Sequence, residues 1–139
     1  MSAYQSKKLN YRKQTLCDLA KQAHEEELRR ALLVLARYFD EWASGKIDSD
    51  ELNQIIHKFH EQTAHEISVR YDMGDHRALV ANAVASGILD RQQLPDELAR
   101  DMERLIAYFE VASVKEQFMA PERKVAVIVA MDVGTASAC

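Results

Sequence analysis

The connector Gly45-Lys46-Ile47-Asp48-Ser49-Asp50-Glu51 constrains this chain more than any other stretch. Gly45 lacks a Cβ, so it can take the left-handed conformation that closes a helix. Asp48 is placed to accept the amides of a new helix, with Glu51 at the reciprocal position of a capping box. Ile47 before the cap and Leu52 in the first turn form a hydrophobic-staple pair. One helix must end before Gly45, and another must begin after Asp48 and fold back on it. The surrounding stretch, Phe39 to Tyr71, also carries three of the five histidines.

The rest of the chain supplies the helices that such corners need. Residues 14–43 repeat apolar side chains at helical spacing: Leu16, Leu19, Ala20 and Ala23, then Leu28, Ala31, Leu32, Leu35, Phe39 and Trp42. Leu33 and Val34 widen this stripe, which predicts neighbours on more than one side. The second helix runs to about Tyr71, with Leu52, Ile55, Ile56, Phe59, Thr63 and Ile67 inward. Met73-Gly74-Asp75 breaks the pattern before a helix over about 76–86, with Leu79, Val80, Ala83 and Val84 inward. Ala78, Ala81 and Ala85 leave room there for a close neighbour.

Gly87, Ile88 and an Asp90-x-x-Gln93 box repeat the chemistry of the first corner and predict a single helical turn before Pro95. A further helix follows over about 95–118, ended by Ala120-Pro121. The run Val125-Ala126-Val127-Ile128-Val129-Ala130-Met131 is too apolar for an exposed face. Its β-branched residues suit a strand, whereas Pro121 and Gly134 at its flanks suit a short buried helix. Both conformations stay open. The fold class is all-α, an antiparallel bundle of four to five helices: a basic N-terminal arm over 1–13, the bundle over 14–134 and a tail over 135–139.

A length of 139 residues with 47% hydrophobic side chains is enough for one core without metal or disulfide support. Cys17 and Cys139 are far apart and make no framework, which points to a reducing, cytoplasmic setting. The first residues lack the apolar core of a signal peptide, and no apolar run reaches the roughly 20 residues that span a bilayer. A net charge of −4 offers nucleic acid no general attraction. Lys7, Lys8, Arg12 and Lys13 form a basic arm, while residues 90–122 hold eight acids against four bases. The arm is therefore expected to be solvated or to lie on the protein's own acidic surface.

Four constellations have the residue types of a site. His57, Glu61 and His65 stand at i, i+4 and i+8, so an α-helix would align them along one side, as divalent metal ligands require. His24, Glu25 or Glu26 would complete such a site from a facing helix. The same three residues also make an ordinary solvated face. The acids Glu25-Glu26-Glu27 and Asp40-Glu41 suit magnesium by type, but consecutive carboxylates point in different directions.

Laid on a twelve-residue calcium loop, Asp40 takes position 1, Ser44 position 5, Gly45 position 6, Ile47 position 8, Asp48 position 9 and Glu51 position 12. The segment thus resembles an EF-hand, which implies calcium held between two helices. Trp42 departs from that pattern at position 3, where an oxygen ligand is needed. Trp42 is instead a candidate anchor for a partner, or a core residue against Leu52 and Ile56.

The functional expectation is a non-catalytic interaction or assembly module without a cofactor. It forms a homodimer through apolar surface that includes Trp42, Val127, Ile128 and Val129; a different protein partner is an open option. The alternative is a protein or enzyme that uses a divalent metal at the histidines of the second helix.

Overall fold

The computed structural model describes residues 3–117. These form α1 (Ala3–Ala43), α2 (Ser49–Lys58), a π-helical segment (Phe59–Ala64), α3 (His65–Met73), α4 (His76–Ala85), a single 3₁₀ turn (Arg91–Gln93) and α5 (Asp96–Gln117). The fold is all-α, with no strand among the described residues. The expectations for Val125–Met131 and for the tail lie outside them.

Both corners follow from their capping residues. Gly45 (φ +81°) closes α1 in a Schellman motif: its amide donates to the Trp42 carbonyl at 3.1 Å, and the Lys46 amide donates to the Glu41 carbonyl at 2.8 Å. Asp48 then accepts the Glu51 amide at 2.8 Å, and Leu52 is buried behind it. Gly87 (φ +80°) repeats the motif, with its amide on the Val84 carbonyl and the Ile88 amide on the Ala83 carbonyl. Here the capping box is complete: Asp90 accepts the Gln92 amide and the Gln93 side chain accepts the Asp90 amide. Gly74 serves a different purpose. Its φ is ordinary, but a Cβ there would sit 2.6 Å from the Arg70 carbonyl and 2.9 Å from Leu79.

α1 starts well before residue 14. Lys8 pairs with Glu97 at 2.7 Å, and Arg12 reaches both Glu97 and Asp101 of α5. The basic residues therefore lie on the first turns of a helix about 60 Å long, against the acidic surface of α5.

The core joins three pieces: Leu19, Ala20 and Ala23 of α1; Val80, Ala81 and Ala83 of α4; and Leu98, Met102, Ile106 and Phe109 of α5. Leu89 and Leu94 close it from the second corner. The small alanines bring α1 and α4 close together. Met102 and Ile106 have no exposed surface, and burial of side chains this size stabilises by about 1.5–3 kcal/mol each. Cys17 is buried beside this core.

The second helix is not uniform. Between Phe59 and Ala64 the backbone widens into π turns, and the inward position after Phe59 moves from Thr63 to Ala64. Thr63 is exposed, Ala64 is half-buried and Ile67 is buried. The wide turn adds about one residue to the face before α3 resumes.

Candidate functional site

The second half of α1 and the α2 helix form a hairpin with much of its apolar surface uncovered. On α1, Leu28, Leu32, Leu35, Phe39 and Trp42 recur at alternating steps of four and three, the spacing of a helix-on-helix seam. Leu32, Phe39 and Trp42 remain 45%, 42% and 43% exposed, while Leu28 and Leu35 are half-buried. Val34 and Tyr38 are exposed along one flank of the seam, and Leu33 stands further round the helix. Ile56 adds an exposed apolar side chain from α2. A stripe of this width predicts neighbours on more than one side. Among the described residues α2 covers only part of it.

Local contacts hold the seam in shape. The Trp42 indole Nε1 donates to Ser49 Oγ at 3.1 Å, fixing the indole across the corner while leaving its ring surface accessible. Trp42 is thus a surface residue with a pinned polar end, the form of side chain that anchors interfaces.

A partly buried polar cluster ties the far end of the hairpin to the core. Arg70 of α3 pairs with Glu27 of α1, their side chains only 11% and 20% exposed. His24 stacks on Tyr71 with ring centroids 4.9 Å apart. Burial, and then the Glu27 charge, push the Tyr71 phenol far above its ordinary value, so it stays protonated. Its hydroxyl interacts with the same carboxylate, yet Glu27 Oε2 has no donor in bonding geometry. The cluster spans α1 and α3 and fixes the angle at which the hairpin leaves the core.

The structure does not bring the proposed metal ligands together. His57, Glu61 and His65 are all exposed. No group of three or more His, Cys, Asp or Glu among the described residues is arranged to hold a metal ion. The calcium-loop residues are used otherwise. Asp40 lies within α1, Gly45 closes that helix, and the Asp48 carboxylate caps the next. Glu25, Glu26 and Glu27 diverge: Glu26 bonds Arg30 at 3.0 Å on the surface, whereas Glu27 turns inward to Arg70.

Lys8 and Arg12 are engaged by Glu97 and Asp101. No described helix is long and apolar enough to cross a membrane. Of the candidate interface residues, Trp42 is exposed on the seam, and Val127, Ile128 and Val129 lie outside the described residues. Leu32, Phe39 and Ile56 belong with Trp42, and helical spacing alone does not distinguish them from interior residues. Four successive apolar residues, Leu32 to Leu35, point around more than half the helix, more than one neighbour can cover.

Compared with family models, with curated proteins and with solved structures, the chain matches none.

Proposed function

We propose that this protein is a non-catalytic assembly module that associates with a second copy of itself through the seam on α1 and α2. The observation that supports this is the exposure of Leu32, Phe39 and Trp42 at four-and-three spacing on a rigid helix. Contiguous apolar surface on a helix face is costly to leave in water and marks a contact site. Helix-to-helix packing is the contact that this spacing fits. A second copy offers the same seam, so a two-fold arrangement satisfies both at once.

Sedimentation equilibrium over a range of protein concentrations tests the proposal. The full chain should associate reversibly, and Leu32→Ser with Phe39→Ser should leave it monomeric with its helix content intact. A wild-type chain that is monomeric into the high micromolar range would refute it. So would association that is indifferent to both substitutions.

A further inference from the structure

The seam and the sequence beyond α5 pose matching problems. The seam is apolar surface that the described helices leave uncovered. Val125–Met131 is a run of seven apolar residues with Glu122 before it and Asp132 after it, and it too needs an apolar neighbour. We infer that the chain's own Val125–Met131 segment docks on the α1–α2 seam and competes with the second copy for it. The inference rests on the association proposed above, because it names what regulates that same surface.

Reach supports an intramolecular contact. Arg30, on the turn of α1 before Leu32, donates to the Gly87 carbonyl at 3.2 Å. Four residues later, Arg91 holds Glu110 of α5 at 3.0 Å. α5 therefore passes near the start of the seam, and Gln117 lies about 10 Å further along that helix. From Gln117 to Val125 is eight residues, enough to span at most about 29 Å. The seam from Leu32 to Trp42 is about 15 Å long. The segment is thus tethered within reach of the start of the seam.

A tether this short holds a ligand at an effective concentration of about a millimolar. A second copy at micromolar concentration meets that competitor first. If the segment is closed over the seam about nine-tenths of the time, the seam's apparent affinity for anything else drops about tenfold. Self-association then depends on how firmly the run is seated, which makes the C-terminal segment a built-in attenuator.

Trp42 is the only tryptophan and stands on the seam, so its fluorescence reports cover directly. The test uses the full chain, diluted until sedimentation shows a monomer, beside the double variant Val127→Asp with Val129→Asp. A milder pair, Val127→Ala with Val129→Ala, keeps the segment apolar and guards against a charge-induced folding defect. Docking predicts that both pairs shift Trp42 emission to the red and increase its quenching by acrylamide, the Asp pair more. The shift should be independent of protein concentration, and the Asp pair should self-associate about tenfold more tightly or more.

Unchanged emission in both pairs at monomeric concentration overturns the inference. A shift that occurs only where the wild type is oligomeric also overturns it, as does weakened association, because the segment would then act on the second copy. The two proposals fail separately. Uncovering of Trp42 in a chain that never associates removes only the dimer, and association without uncovering removes only the attenuator.

Discussion

The two ends of α1 are one continuous helix with opposite surroundings. Its first half, through Ala23, lies against α4 and α5 and contributes side chains to a core that excludes water completely at Met102 and Ile106. Its second half meets α3 at His24 and Glu27 and α2 beyond them, and leaves Leu32, Phe39 and Trp42 more than two-fifths exposed. The residue types are much the same: leucine, alanine and an occasional aromatic at helical spacing. Apolar periodicity thus records that a helix face requires a neighbour, and not that the same chain provides one. The Arg70–Glu27 pair sits where the two regimes meet.

Core truncation should separate the regions most. Ile106→Ala is expected to destabilise by about 3 kcal/mol, since it removes buried methylenes and leaves a cavity. Leu33→Ala, on a half-exposed side chain, should cost less than about 0.5 kcal/mol in the monomer. Urea denaturation at dilute concentration measures both. Equal losses would mean that the second half of α1 is as well buried as the first.

The junction should show an intermediate effect with a distinctive location. Arg70→Ala leaves the partly buried Glu27 carboxylate without its charged partner and should cost about 2 kcal/mol. Amide hydrogen exchange should quicken in α3 and the π segment while α5 keeps its protection. Uniform quickening across all helices would show that the two regions unfold as one unit and that the distinction is only geometric.

The smallest effect is expected where α1 begins. The Lys8 ammonium and the Arg12 guanidinium hold the Glu97 carboxyl below its ordinary value of 4.5. A carboxylate depressed in this way stabilises the folded state fully above that ordinary value and loses its contribution as pH falls through the lower folded value. The first turns of α1 should therefore loosen on acidification, as seen by exchange or by NMR shifts at Lys8 and Arg12. Glu97→Gln should make them pH-insensitive over that window. The pairs are exposed, so raising the salt concentration should mimic part of the acid effect.

The sequence alone determined the two corners. Gly45 with Asp48, and Gly87 with Asp90 and Gln93, form the expected corners because every bond in them joins residues within a few positions. Local donors and acceptors need no knowledge of the rest of the chain. Tertiary structure decided three other things. The first turns of α1 lie on Glu97 and Asp101, partners more than eighty residues away. The π turns at Phe59–Ala64 replace Thr63 with Ala64 on the inward face. The described helices leave the seam on α1 uncovered because burial depends on whether another surface arrives, and the apolar pattern of one helix carries no information about that.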